Sequence, residues 1–173
     1  NQHQPEQACI LGLWQNIISY QTFMDKIHDT VTDNNAQEKT YSEIHVGLFH
    51  RVLDIIGEAP TLSAALSEAS ILRVADCMVT QVQQSHFEQM QQDVWNIGMA
   101  QAGGMLGGIF NQHNDIANQY LVTTLWRDLS HHQNYVAHHL PDLRQKADVS
   151  DDLDSITGYL IELESTWCVL PEQ

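Results

Sequence analysis

The side chains best suited to chemistry in this sequence are its ten histidines, which can bind metals or transfer protons near neutral pH. The densest group is His131, His132, His138 and His139. On one helix, His131 and His138 would be seven residues apart, and so would His132 and His139. Each pair would therefore lie about 10 Å apart along the helix axis. Metal ligands on a helix are usually three or four residues apart. The spacing therefore predicts exposed histidines and no metal site.

The elements that would position these histidines belong to a segment that recurs along the chain. The matched pairs, all 112 residues apart, include Leu13 and Leu125, Trp14 and Trp126, Asn16 and Asp128, Phe23 and Tyr135, and Ile44 and Ile156. Chemical class agrees at helix-cap, core and strand positions without a gap. Self-similarity at one fixed offset indicates a repeated structural unit.

Each copy of this segment reads as strand, helix and strand. In the first copy, an apolar run at 8–14 predicts a strand, a helix follows the cap at Asn16, and a strand apolar on both faces spans 44–55. The counterparts in the second copy are strands at 120–126 and 156–163. Upstream, the second copy adds a strand at 71–79, a helix begun by a Ser85–Glu88 capping box, and a strand at 105–110 between glycine pairs that predict a turn and a bulge. This order is the βαββαβ, ferredoxin-like unit.

The repeat divides the chain into three parts. Residues 1–56 are expected to be the C-terminal half of a first repeat. Residues 57–70 are a connector with a short helix capped by Thr61, and residues 71–173 are a complete second repeat. The same offset places the start of the first repeat roughly 40 residues before Asn1, so we expect that repeat to be N-terminally truncated.

The acidic composition argues against some partners. The chain has 7 lysines and arginines against 22 aspartates and glutamates, a formal net charge of -15. Such a surface repels nucleic acid and anionic membranes. The cysteines Cys9, Cys77 and Cys168 lie in or beside apolar runs without a C-x-x-C spacing, which is typical of buried thiols in a reducing cytoplasm. No apolar run approaches membrane-spanning length. We therefore expect a cytoplasmic protein without nucleic-acid or membrane partners.

Several stretches resemble a known family. The segments 10–16 (ILGLWQN), 75–79 (ADCMV), 94–108 (VWNIGMAQAGGMLGG), 121–128 (LVTTLWRD) and 152–164 (DLDSITGYLIELE) are similar to the antibiotic-biosynthesis-monooxygenase-like (ABM-like) domain. They look closest to a bacterial group with two such repeats in one chain. The resemblance implies an α+β fold in which tandem ferredoxin-like βαββαβ repeats form a dimeric α+β barrel, here as a pseudo-dimer within one chain.

The resemblance also implies two candidate functions. The superfamily includes cofactor-free oxygenases of polyketide quinones, haem-degrading monooxygenases and proteins without known activity. Haem-degrading members carry an Asn, a Trp and a His, and these positions are best matched by Asp76, Tyr135 and Gln145, which argues against haem degradation. The first hypothesis is a monooxygenase without a cofactor that acts on a small aromatic or quinone-like molecule. The alternative is a non-catalytic small-molecule-binding or assembly protein, with a homodimer as the assembly to test.

The repeat and the resemblance together nominate a site. Because His132 and His139 replace Tyr20 and Ile27 of the first copy's apolar stripe, they should face the sheet of their own module. Polar groups on an inward face can mark a ligand pocket, although a satisfied core histidine is the simpler interpretation. The candidate catalytic residues are Asp76, His132 and His139, and the candidate ligand-binding residues are Trp95, Trp126 and Tyr159. For the tryptophans, a purely structural role in the core is the alternative.

Overall fold

The computed structural model of this protein describes residues 6–35 and 40–167. Within these residues, five strands form one antiparallel sheet in the order β1-β3-β4-β2-β5. The strands are β1 (Phe49–Ile56), β2 (Ile71–Val79), β3 (Met105–His113), β4 (Gln119–Trp126) and β5 (Leu153–Glu162). The helices are α1 (Ile17–Phe23), α2 (Asp29–Asn35), α3 (Leu62–Glu68), α4 (Gln84–Met90), α5 (Asn96–Ala100), α6 (Leu129–His138) and α7 (Leu140–Ala147). Cys168 and the C-terminal end of the predicted second repeat lie outside the described residues.

Strands β2 to β5 and their connecting helices form one complete ferredoxin-like module. Their spatial order, β3-β4-β2-β5, is that of the split βαβ unit. The strands predicted at 71–79, 105–110, 120–126 and 156–163 are confirmed. Strands β3 and β5 are longer than predicted, because their polar ends also find partners on neighbouring strands. The expected α+β, ferredoxin-like fold is therefore present.

Strand β1 joins this module at its β3 edge. The pairing is antiparallel and brings Ile55 opposite Gly108. The chain leaves β1 at Gly57, where an added Cβ would lie 2.4 Å from the carbonyl oxygen of Met105. Only glycine permits this approach of two backbones. The register of β3 on β4 shifts between Met105 and Gly107, which confirms the predicted bulge.

The two faces of the sheet pack against different elements. On β2, Ile71, Ala75 and Cys77 belong to the core beneath the helices, whereas Leu72 and Val74 belong to a second core that includes Ala65 of α3. This alternation follows from the two-residue period of a strand. It decides which side chains of β2 can reach a ligand between the helices and the sheet.

The prediction that α4 starts with a capping box is wrong. The helix begins at Gln84, and the residue before it, Gln83, makes no capping hydrogen bond. Glu88 instead accepts a hydrogen bond of 2.6 Å from the buried Tyr120 hydroxyl. A buried phenol needs a hydrogen-bond partner. Because Glu88 bonds to Tyr120, its carboxylate does not form the capping box with Ser85.

Residues Cys9–Gly47 form a compact unit of their own. The predicted helix is confirmed: α1 follows Asn16, whose side chain accepts a 2.9 Å hydrogen bond from the Ser19 backbone N–H. A π-helical turn, Met24–His28, joins α1 to α2. The strand predicted at 8–14 is wrong, because a strand requires a paired neighbour and none of the described strands pairs with this segment.

One local arrangement recurs at the two places matched by the repeat. Trp14 packs against the rings of Tyr20 and Phe23, and Trp126 packs against the rings six and nine residues after it, His132 and Tyr135. The surroundings differ, since Trp126 is fully buried and Trp14 is 41% exposed. The tandem repeat itself remains a prediction.

Among the described residues, no helix combines the length and the apolar character needed to cross a membrane.

Candidate functional site

A cavity of about 450 Å³ lies between the helices and the sheet of the complete module. Its floor is formed by alternate residues of β2, Arg73, Ala75 and Cys77, with Val122 of β4 beside them. Helices α4 to α7 form the roof, and the segment from Val149 to Ile156 closes one side. A cavity of this size, mostly apolar and with a few polar groups, is typical of a small-molecule site.

One wall is a stripe of side chains from successive helical turns. Phe87, Gln91, Trp95 and Met99 all line the cavity at intervals of four residues. In a regular α-helix a four-residue step drifts by about 40° around the axis. The π-helical turn Gln91–Trp95, which has more residues per turn, counteracts this drift and keeps the stripe on one face.

Hydrogen bonds hold the polar member of this stripe. The side-chain amide of Gln91 donates a 2.7 Å hydrogen bond to Asn96, and the Asn96 amide donates in turn to the Asp54 carbonyl oxygen of β1. Gln91 is only 3% exposed, so these bonds restrict its orientation in the wall. These hydrogen bonds therefore connect the cavity wall to β1, the strand that precedes the module.

The charged groups around the cavity are all positive. Arg73 lies on the floor and Arg144 of α7 lines the cavity from the roof, and no Asp or Glu is among the lining residues. Burial lowers the pKa of Arg73, and the charge of Arg144 acts in the same direction, although a guanidinium remains protonated in proteins. Within the described residues, neither arginine makes an ion pair. The positive charge of the cavity lining is opposite in sign to the net charge of the whole chain, which is -15.

Four of the six predicted site residues lie on the helix face of the sheet, in three different places. Trp95 lines the cavity. Trp126 and His132 are buried and packed edge to face with ring centroids 5.3 Å apart, outside the cavity lining. His139 is half-buried and stacks on the lining residue Tyr135. The helix face of the module thus carries four of the six predicted residues.

The other two predicted residues lie on the opposite face of the sheet. Asp76 alternates with Ala75 and Cys77, and its carboxylate accepts a 2.9 Å hydrogen bond from Gln119. Tyr159 pairs in register with Val74 and packs in the core that contains α3. Because successive strand residues point to opposite faces, neither side chain shares a surface with the cavity.

Sequence reasoning missed Arg73, Tyr135 and Arg144 as site residues. The signal for Arg73 was present, since it shares strand parity with Ala75 and Cys77 in an apolar strand. A charged residue at an inward position is a marker of function. Tyr135 was recognised only as a core position, although its ring also lines the cavity. Arg144 gave no local signal, because only the packing of α7 over the sheet brings it to the cavity.

The buried histidine predicts a specific pH dependence. Burial, and secondarily the charge of Arg73, lowers the pKa of His132 to about 4. Between the unfolded value of about 6.5 and pH 4, the unfolded chain binds a proton at this site that the folded chain does not. We expect stability to fall as the pH drops through this window, with no further gain above it. A His132→Phe variant should lose less stability between pH 7 and pH 4.5 in urea denaturation, and parallel losses in both proteins would contradict the assignment.

In the parts of the chain that the structure describes, no group of three or more His, Cys, Asp or Glu side chains is arranged to hold a metal ion.

Comparison with known proteins relates parts of this chain to others. Residues 1–49 match the model of a domain of unknown function, DUF4937. No curated protein matches the sequence. Among solved structures, it is similar to a "putative monooxygenase" of Lactobacillus acidophilus, with 14% identity and a TM-score of 0.61 over 85% of this chain and 65% of the other. A second "putative monooxygenase", from Fusobacterium nucleatum, has 8% identity and a TM-score of 0.64, over 86% of this chain and 65% of that one.

A third solved structure is named for the wider group. It is a ferredoxin-fold protein related to antibiotic biosynthesis monooxygenases, from Listeria monocytogenes, with 9% identity and a TM-score of 0.46 over 69% of this chain and 66% of that one. The first two structures, with TM-scores of 0.61 and 0.64, share the fold of this chain. This chain spans less than two thirds of the length of each of them. At the level of fold, the chain is similar to these two solved structures.

Proposed function

We propose that this protein is a monooxygenase that works without a cofactor on a small aromatic or quinone-like molecule held in the cavity of its complete module. The observation that carries the proposal is the cavity of about 450 Å³ lined by Phe87, Trp95 and Tyr135, in a fold shared with proteins described as monooxygenases. Flat aromatic side chains in an apolar pocket favour a flat aromatic ligand.

The chemistry needs little from the protein beyond a dry, oriented site. A substrate that loses a proton to become a stabilised carbanion can itself reduce dioxygen. For a ring CH₂ that becomes C=O, one oxygen atom enters the substrate and the other leaves as water, so substrate and dioxygen balance without another reductant. The protein must exclude water and stabilise the anion that forms. The apolar stripe and the positive charges around this cavity match both needs.

Among the three predicted catalytic residues, we assign the role of proton acceptor to His132, which lies outside the cavity lining. It is buried against Trp126, and its depressed pKa keeps the imidazole neutral at pH 7. A neutral imidazole has one free acceptor nitrogen. His139 would act through Tyr135, on which it stacks, and Asp76 would serve a ligand bound on the other face of the sheet.

One observation favours the non-catalytic alternative. None of Asp76, His132 and His139 is among the residues that line the cavity. In that case the module would bind a small molecule, or organise an assembly, without turning the ligand over. The same cavity would serve both functions, so catalysis must be tested directly.

We also propose that the chain descends from two ABM-like repeats, with residues 1–56 belonging to the first, 57–70 connecting them and 71–173 forming the second, in a pseudo-dimeric arrangement. The support is the matched packing of Trp14 with Tyr20 and Phe23 and of Trp126 with its two ring partners, each beside a cap at the same offset. Duplicated modules of this kind replace the partner that a single module needs.

Oxygen uptake with 1,8-dihydroxyanthrone tests the catalytic proposal. This molecule has an acidic ring CH₂ and two aromatic rings of suitable size. We expect protein without added metal or cofactor to raise the rate on the order of a hundredfold over buffer, with one oxygen atom from labelled dioxygen in the product. Heat-denatured protein is the control. Binding without uptake would favour the non-catalytic alternative, and neither binding nor uptake would contradict both.

A further inference from the structure

We propose that the cavity selects an aromatic anion, whose negatively charged oxygens bind the guanidinium of Arg73. This inference rests on the proposed function, because it names the charge state in which a quinone-like ligand enters the site. It is carried by the placement of one unpartnered cation on the cavity floor.

Arg73 occupies a position where a charge is costly. It lies in the middle of β2, with Thr124 of β4 on one side and Leu160 of β5 on the other. It is half-buried and lines the cavity, and none of the described residues forms an ion pair or a hydrogen bond with its side chain. Its strand neighbours offer no compensating charge, since the Thr124 hydroxyl already accepts a 3.0 Å hydrogen bond from the indole N–H of Trp126.

A half-buried, unpaired guanidinium points to an anion that is supplied from outside the chain. Buried charges in proteins are normally paired, because desolvation of an isolated ion is expensive. No buried side-chain nitrogen or oxygen in the described residues is left without a partner, so the Arg73 nitrogens must retain access to the cavity. A guanidinium presents a planar fork of donors that fits two oxygens at once.

The other polar groups around the cavity reinforce this selection. Arg144 adds a second positive charge from α7, and Tyr135 and Ser155 add hydroxyl groups. With no carboxylate in the lining, nothing in the site favours a cationic ligand. Because the chain as a whole carries a charge of -15, the cavity is a local region of positive potential in an otherwise repulsive surface.

The apolar walls of the cavity determine which chemical groups the rest of the ligand must carry. Phe87, Trp95 and Met99 line the same cavity and can cover the faces of a ring. A ligand with charged oxygens at one edge and an apolar ring system behind them would satisfy both surfaces. The anion of a hydroxyquinone, in which the charge is shared between two oxygens on a flat ring, has this form.

Two naphthoquinones of similar shape and different charge test the inference. At pH 8, 2-hydroxy-1,4-naphthoquinone is an anion, and 2-methoxy-1,4-naphthoquinone is neutral and of similar shape. Titration followed by quenching of tryptophan fluorescence should show wild-type protein binding the anion on the order of tenfold or more tightly. Arg73→Met should abolish this preference while affinity for the methoxy compound changes little. Arg73→Lys should keep part of it, because the charge remains but the fork is lost.

The variants separate this inference from simple misfolding and from the proposed function. Arg73→Met removes a half-buried, unpaired charge and keeps a similar volume, so we expect it to fold about as stably as wild type. Arg51→Met, on the exposed edge strand and away from the cavity, is the matched control and should keep the preference. Equal affinity of wild type for both compounds, or a preference that survives Arg73→Met, would overturn the inference. Anion-selective binding without oxygen uptake would leave it standing and reject only the monooxygenase.

Discussion

Replacing Trp126 with alanine is expected to lower the free energy of unfolding by about 3–5 kcal/mol, the range for large-to-small changes of a buried tryptophan. Trp126 is fully buried at the end of β4, where it packs on His132 and Tyr135 and donates a hydrogen bond to Thr124. Alanine would leave a cavity beneath α6. It would also remove the indole N–H that donates a hydrogen bond to the Thr124 hydroxyl. Urea denaturation followed by far-ultraviolet circular dichroism measures the loss.

Trp14 supplies the matched control for this change. It makes the same two ring contacts at the same sequence spacing but is 41% exposed. Because the hydrophobic contribution scales with the area removed from water, Trp14→Ala should cost less than about 2 kcal/mol. Equal losses for the two variants would contradict the difference in burial that the structure assigns to these matched positions.

Filling the cavity from its floor should abolish ligand binding without loss of stability. Ala75 lies on the inner strand β2, between Val122 and Gly158, and is 2% exposed with its side chain toward the cavity. In Ala75→Leu, the added methylene and methyl groups would occupy space that a ring system needs. We expect affinity for 2-hydroxy-1,4-naphthoquinone to fall at least tenfold, since steric exclusion removes the ring contacts.

A change on the other face of the sheet controls for indirect effects. Thr157 of β5 is exposed and pairs with Asp76, whose side chain lies away from the cavity. Thr157→Val should leave both affinity and stability close to those of wild type. If Ala75→Leu folds and binds the naphthoquinone as well as wild type does, the ligand does not occupy this cavity, and the site assignment fails.

The failures of sequence reasoning have identifiable causes. The helix after Asn16 and the helix after Thr61 were predicted from their caps, because a cap acts within four residues. The strand at 8–14 was predicted from its apolar composition alone, but a strand is stable only when a neighbour accepts and donates its hydrogen bonds. The capping box before α4 failed for the same kind of reason, since Glu88 is used by Tyr120 from a distant strand.

By itself, the sequence determined the elements whose stability is local and the ferredoxin-like order of the module from β2 to β5, because helix periodicity, caps and glycine turns act over short stretches of chain. Only the tertiary structure decided that Arg73, Tyr135 and Arg144 surround one space, and that Asp76 and Tyr159 lie on the other side of the sheet. The physical reason is that a cavity arises where residues distant in sequence fail to fill the volume between a sheet and its helices. No pattern along one strand or one helix specifies that volume.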